Sequence, residues 1–377
     1  MLLTNSRCAA SRWRGPSLAV WATLLLAGAA CAPRSGRPDG IYARVYTTRG
    51  LFVGRLAHEK TPLTVTSFVG LAEGTIENAA FEAGRPYYDG MAYTRVEPGH
   101  VIQTGPPASD RARGPGYRFP NEIHADLSHD HAGALNMANG GPNTNAATFC
   151  VTLGDRSYLD GDYIVWGEVV DGMDVVRSIE VGDVIDSVRI ERVGDEAGAF
   201  PADTDAFRRL LAAAEERLAE HATMRREAFR EWTRRSWPEA TGPEGGVLTR
   251  VLNEGTGPAT SGPRRVRYRG TQVRYLGHVI GRRAPPLEIT AFASGENGVP
   301  GFHDPPVAFT FTPGETALLP ALDAAVAAMA PGERRVLVVP AEHGYGRTGL
   351  YPPETPGQPR FVISPEVLLV YEVEVLY

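Results

Sequence analysis

Lysine is almost missing from this chain. Lys60 is the single one, and every other basic side chain that stays charged is arginine. That skew reads as codon bias and carries no function. Cysteine is scarce too, with three in 377 residues. Cys8 and Cys31 fall in the N-terminal leader, so the body keeps one thiol, Cys150, and no internal disulfide framework. Positive charge is not in excess. The net charge of −6 argues against wholesale nucleic-acid binding. The apolar run over residues 17–30 is too short to cross a bilayer as an ordinary transmembrane helix.

What is present starts with that leader. Arg7, Arg12 and Arg14 form a basic start, and the apolar run ends Leu26-Ala-Gly-Ala-Ala-Cys31. This resembles a bacterial lipoprotein signal, which implies that residues 1–30 are a signal peptide and that Cys31 becomes the lipidated first residue. Gly28 departs from the pattern, which usually has Leu there. The alternative is a plain signal peptide cut after the small residues, releasing an exported protein. Residues 31–39 then form a short polar tether.

The length allows two or three domains. From Ile41 apolar and polar residues alternate, turn at Thr48-Arg-Gly50 and alternate again, which predicts a strand pair. Thr61-Pro62 opens a helix, with Val65, Phe68, Val69 and Ala72 on its buried face and Gly74 at its end. Short β-runs broken by Gly, Pro, Asn and Asp continue to Val193. Residues 202–236 contain no Gly or Pro and are rich in Ala, Glu, Arg and Leu. Phe207, Leu211, Ala214, Leu218, Phe229 and Trp232 make an intermittent stripe along one long connector helix over 202–237, stopped by Trp237-Pro238. Its arginines (Arg225, Arg226, Arg230, Arg234, Arg235) form either a solvated face paired with nearby Glu or a surface for anionic lipid. After a Pro/Gly hinge, a second β-rich domain runs over 247–377.

Two segments of the first domain stand out. Met137-Ala-Asn-Gly-Gly-Pro-Asn-Thr-Asn145 is dense in turn residues. Arg95-Val-Glu-Pro-Gly-His-Val-Ile-Gln103 puts a guanidinium and an amide at the ends of a short apolar stretch. Together they read as a groove that holds a peptide backbone and aims one permanent charge at it. With Tyr87-Tyr-Asp-Gly-Met-Ala-Tyr-Thr-Arg95, Leu159-Asp-Gly161 and Trp166-Gly167, they resemble the cyclophilins, a family of peptidyl-prolyl isomerases, over residues 40–195. The resemblance implies a closed β-barrel with capping helices.

Peptide-bond rotation is opposed by about 18–20 kcal/mol of amide resonance. A catalyst need only favour the twisted amide, by a donor aimed at it and by an environment that solvates the planar form poorly. No metal, nucleophile or cofactor is needed. The resemblance makes Arg95 the catalytic donor, always charged and with a fixed fork of N–H groups. It makes Gln103 and Asn139 backbone-binding amides, Ala138 a groove wall, and Leu159 a wall of the proline pocket. His100, Val101, Cys150 and Tyr163 stand at further groove positions but depart from the usual Phe, Met, Phe and His. Thr148 and Tyr158 replace Gln and Trp. The pocket is therefore expected to be less aromatic and shallower. The alternative for Arg95 is a surface ion pair with Glu97 or Glu122.

The second domain resembles the FKBP-type isomerases through Gly255-Thr-Gly257, Val266-Arg-Tyr-Arg-Gly270, Phe292-Ala-Ser294, Pro331-Gly-Glu-Arg334, Gly344-Tyr-Gly346 and Leu369-Val-Tyr-Glu-Val373. That implies an antiparallel sheet wrapped around a short helix, whose apolar face is Leu319, Leu322, Val326 and Met329. Tyr268, Phe292, Leu319, Leu322, Tyr345 and Tyr371 match its proline pocket, with Tyr345 as donor to a substrate carbonyl. Ala293 stands where the family keeps an Asp. The stretches between Tyr268 and Phe292 and over 350–363 are longer than in compact members. Alternatively, these aromatics are the core of a degenerate domain.

His124-Ala-Asp-Leu-Ser-His-Asp-His131 has the residue types of a metal site, but it reads as the polar loop before the turn at Gly133. Cys150 reads as a buried apolar filler rather than a reactive thiol. The expectation is a mainly β, exported, lipid-anchored peptidyl-prolyl isomerase of the bacterial cell envelope. Its partners are proline-containing polypeptides and, through the anchor, the bilayer. The competing expectation is a chaperone or scaffold that grips such chains without turning them over.

Overall fold

A computed structural model describes residues 36–105, 114–259, 262–282, 285–302, 304–315, 319–350 and 361–377. Cys31 and the leader lie outside the described residues. Residues 38–377 form one compact unit. Among the described residues no helix is long and apolar enough to cross a membrane.

The first half is a closed antiparallel barrel. Its strands are β1 (Gly40–Thr47), β2 (Gly50–Leu56), β3 (Met91–Glu97), β4 (Val101–Thr104), β5 (Ala134–Met137), β6 (Phe149–Thr152), β7 (Val165–Asp171) and β8 (Val184–Val193). They close in the order β1-β2-β7-β5-β6-β4-β3-β8. The period of two sends Tyr93, Ile102, Leu135, Met137, Phe149 and Val151 inward, where they join Phe68 and Trp166 in one core. Closure leaves no open sheet edge. Helix α1 (Pro62–Glu73) starts with Pro in its first turn and ends at Gly74, whose φ of 73° suits a left-handed cap. It is buried on nearly every side. Its Thr61 makes no side-chain cap; instead Glu122 accepts from the Leu63 and Thr64 amides at 3.1 and 3.0 Å and from the Thr64 hydroxyl at 2.9 Å. A carboxylate is thus brought from far along the chain to satisfy the orphan N–H groups of a helix start. The short helices α2 (Met173–Ser178) and α3 (Asp195–Ala199) cap the barrel.

Helix α4 (Thr204–Ser236) opens on Asp203, whose carboxylate accepts from the Ala206 amide at 2.7 Å. It is more than a tether. Near its start, Phe207 packs on Tyr117 (ring centroids 4.5 Å apart) and Phe119. Near its end, Phe229 and Trp232 pack on the second domain's sheet. The arginine run is committed to side-chain partners: Arg225 to Glu366, Arg230 to Glu244, and Arg234 and Arg235 to Glu231.

The second half contains β9 (Leu248–Asn253), β10 (Arg264–Tyr275), β11 (Leu287–Ser294), β12 (Pro300–Gly301), β13 (Phe309–Phe311), α5 (Pro320–Ala328), β14 (Arg334–Val339) and β15 (Leu368–Val375). The sheet runs β12-β11-β10-β15-β14-β9, with β13 also paired to β10. Alternation gives it two apolar faces. Val266, Tyr268, Leu337, Leu369 and Tyr371 face α5, whereas Val273, Val336, Val338, Leu368 and Val370 face α4 and Trp237. The two halves also meet directly, where the Ile280 and Ala125 main chains exchange hydrogen bonds with Ile123 and Ile280, both at 2.9 Å.

Candidate active site

Register places the first site. Arg95 on β3 lies opposite Gln103 on β4, Gln103 opposite Cys150 on β6, and Cys150 opposite Asn136 on β5. Inward neighbours fill the core, so these four form a row across the outer wall of the barrel. Arg95 stands at the exposed end of the row, with 48% of its side chain accessible. The row grows more buried along its length: Gln103 is half-buried, Cys150 is 5% exposed and Asn136 is 3% exposed. The Cys150 sulfur lies 3.5 Å from the Gln103 Oε1. Burial pushes the Cys150 thiol up to about 12, against a small downward pull from Arg95. It is therefore a neutral filler at ordinary pH.

Arg95 is exposed yet engaged. Its Nε donates to Glu97 Oε1 at 2.7 Å. The other Glu97 oxygen lies 2.5 Å from His100 Nδ1, and His100 Nε2 lies 2.8 Å from the Tyr158 hydroxyl. Partial burial works against the Glu97 charge, but the hydrogen bonds from His100 and Arg95 outweigh it and hold the carboxyl below its ordinary range. Of the two partners expected for an Arg95 ion pair, Glu97 is the one used; Glu122 is spent on α1.

Val101 and Cys150, expected at the groove, are 3% and 5% exposed. Ala138, Asn139, Leu159 and Tyr163 are half-buried. Asn139 Nδ2 donates to Asn145 Oδ1 at 3.2 Å, and its Oδ1 accepts from the Gly141 amide, so the turn of residues 137–145 is braced by its own amides. Two residues here escaped the sequence reading. Glu97 appeared only as a competitor for Arg95, not as the link to His100 and Tyr158. Asn136 was missed, although its position two residues before Ala138 on a strand puts it on the same face; its Nδ2 is buried and without a hydrogen-bond partner.

In the second half, the expected pocket residues do converge. Tyr268, Phe292 and Tyr371 meet edge to face, with centroids 5.2 to 6.4 Å apart, and Phe309 joins them 6.1 Å from Tyr268. Phe309 was not anticipated; its strand lies on a three-residue stretch too short for a periodic signal. Leu319 and Leu322 approach from α5. Matched to a pocket lining or, alternatively, to the core of a degenerate domain, these side chains are packed on one another and almost wholly buried, with Tyr345 alone of them half-buried. The Tyr268 hydroxyl donates to the Gly298 carbonyl at 2.6 Å. The Tyr345 and Tyr371 phenols interact, and burial raises both above the ordinary phenol range.

The histidines of the 124–131 loop go to separate partners. His129 Nδ1 lies 2.7 Å from Asp160, His131 Nδ1 2.7 Å from Asp130, and His124 Nδ1 accepts from the Asp126 amide. No grouping of three metal-ligating side chains occurs among the described residues.

Comparison with known proteins settles the family. The sequence model described as "Cyclophilin type peptidyl-prolyl cis-trans isomerase/CLD" matches residues 42–195. The probable peptidyl-prolyl cis-trans isomerase A of Mycobacterium leprae is 41% identical over 133 residues, which are 34% of this chain and 73% of that protein. The chain belongs to the cyclophilin-type peptidyl-prolyl isomerases. Isomerase A of Mycobacterium tuberculosis is 40% identical over the same shares, and isomerase ppi1 of Schizosaccharomyces pombe 39% identical over 35% of this chain and 79% of its own. A crystal structure of a Cryptosporidium parvum cyclophilin type isomerase covers 41% of this chain and 98% of its own, at 24% identity and a TM-score of 0.35. A second model, "FKBP-type peptidyl-prolyl cis-trans isomerase", matches residues 293–376. This cyclophilin therefore carries an FKBP-type domain in the same chain, and it is an isomerase.

Proposed function

We propose that isomerisation is carried chiefly by the first domain, with Arg95 as the catalytic group. The supporting observation is the row Arg95–Gln103–Cys150, which sets an exposed guanidinium beside an amide over an apolar floor. A peptide laid across Gln103, Ala138 and Asn139 brings its prolyl ring toward Val101, Cys150 and Leu159. As the amide twists, its nitrogen regains a lone pair, and an Arg95 N–H that turns from Glu97 donates to it. A charge-assisted bond of this kind contributes about 1.5–3 kcal/mol. The apolar floor adds roughly 1–3 kcal/mol by solvating the planar amide poorly.

The substrates are proline-containing polypeptides, and we place them in the bacterial cell envelope. The basic start, apolar run and Cys31 support export and lipid anchoring. A tethered isomerase meets chains that arrive unfolded, when X-Pro bonds exchange only over tens to hundreds of seconds. Labelling cells with a radioactive fatty acid tests the anchor: Cys31→Ser should abolish incorporation, and retained label would refute it.

A second reading is favoured by two observations, the engagement of Arg95 by Glu97 and the packed aromatics of the second half. On that reading the protein holds proline-bearing chains without turning them over. Isomerisation of a short X-Pro peptide by the full chain separates the two. Catalysis that persists when Phe292→Ala disrupts the second pocket and fails with Arg95→Ala supports the first reading. No catalysis, with aggregation of an unfolded client still suppressed, supports the second.

A further inference from the structure

The loop that carries Leu159 and Tyr163 is not held by the barrel alone. Its barrel-side anchor is Asp160, which takes the His129 amide at 2.9 Å and the His129 ring at 2.7 Å. Its other anchor comes from the FKBP-type domain. Arg274, on β10, donates through Nη2 to Asp162 Oδ1 at 2.7 Å, and the two side chains are only 17% and 13% exposed. The same guanidinium lies against Gly161, whose φ of +83° few other residues adopt; a Cβ there would sit 3.0 Å from Nη2. The His278 ring reaches the backbone of the same Gly161. Just past Asp162, the Tyr163 amide closes the turn by donating to the Leu159 carbonyl, and the Asp162 carbonyl accepts from Asn121 Nδ2 at 3.2 Å.

The β10–β11 hairpin between Tyr268 and Phe292 docks on the barrel: Arg274, paired in the ladder with Glu288, reaches Asp162, and Ile280 in the connecting turn bonds the Ile123 and Ala125 main chains. A partly desolvated guanidinium–carboxylate pair is directional, because both groups are planar and each lone pair left unmatched is costly. Such a pair fixes the orientation of a loop more tightly than an exposed pair does.

The geometry points to Arg274 as a cross-domain positioning residue for the proline groove: the FKBP-type domain sets the wall of the cyclophilin-type site through Asp162. This rests on the groove reading given above. Arg274 touches no reacting atom. Its contribution is to hold Leu159 and Tyr163, which bind the ground state and the twisted amide alike, so its loss appears in KM more than in kcat.

The test uses the full chain and a short X-Pro peptide, and it follows the part of the rate that Arg95→Ala removes. Arg274→Gln should raise KM for that part about fivefold with kcat within about twofold. Asp162→Asn should do the same, and the double variant should add little, because both single changes break one pair. Arg274→Lys keeps the charge and should restore part of the loss, which also guards against a Gln variant that folds poorly. Arg269→Gln, whose partner Asp304 lies within the FKBP-type domain, should leave KM unchanged. If Arg274→Gln and Arg274→Lys both keep the wild-type KM while Arg95→Ala removes the rate, the coupling is refuted and the groove stands. If Arg95→Ala removes nothing, the groove reading itself falls, and the coupling with it.

Discussion

Cys150 illustrates how far a single side chain depends on its row. It stands where the cyclophilin resemblance usually has Phe, and, as expected of a small apolar filler, it is a thiol sealed between β4 and β5. Burial that pushes it up to about 12 makes a direct prediction. In a Cys8→Ser, Cys31→Ser variant, iodoacetamide at pH 8 should leave Cys150 unmodified in the native state and alkylate it on unfolding; rapid native labelling would place it at an open surface. Glu97 is the converse case. Its role was hidden in the sequence because it sits two residues from Arg95 and three from His100, spacings that mean nothing until a strand and a turn bring all three together. That Arg95 and Gln103 bracket a short apolar stretch was legible. The pairing of Arg95 with one carboxylate and not another was not, because Glu122 and Glu97 look alike until one of them is claimed by α1.

Helices show the same division. The start and stop of α1 could be read from Pro62 and Gly74, since both act through backbone geometry at the position they occupy. The cap on its first turn could not, because Glu122 arrives from the loop before β5. Each of its bonds to an N–H or hydroxyl is charge-assisted, so Glu122→Ala should lower stability by about 2 kcal/mol, measured as a shift in the urea midpoint with unchanged slope. A variant as stable as wild type would show that water caps the helix equally well. The length and stripe of α4 were likewise visible as an unbroken Ala/Glu/Arg/Leu run. Its packing at both ends was not: Phe207 and Trp232 sit on one stripe but serve two different cores.

At the scale of the whole molecule, two isomerase folds are joined, among the described residues, by α4, the Ile280 backbone contact, the Arg274–Asp162 pair and the reach of His278 to the Gly161 backbone. Both folds were recognisable from turn and pocket motifs, whereas their mutual docking had no local pattern to reveal it beyond an unexplained excess of residues before Phe292. The joint should also be acid-sensitive. Burial lowers His278 to about 4, and neighbouring Arg274 and His221 act in the same direction. The unfolded chain takes up this proton below about 6.5 and the folded chain only near 4. Stability from this site is therefore complete above 6.5 and lost as pH falls toward 4, by up to roughly 3 kcal/mol. Denaturant midpoints at pH 7 and pH 4.5 should differ more for wild type than for His278→Leu; equal differences would place the ring in solvent.

The proposed catalysis turns on one exposed guanidinium easing a proline bond through its twisted state. Its most direct test is the cis–trans exchange rate of an X-Pro peptide, read by NMR exchange spectroscopy with the full-length protein and with Arg95→Ala at matched concentration. The loss of a charge-assisted bond predicts a roughly ten- to hundredfold slower catalysed exchange in the variant, with peptide binding retained. Equal exchange rates in the two proteins would contradict it.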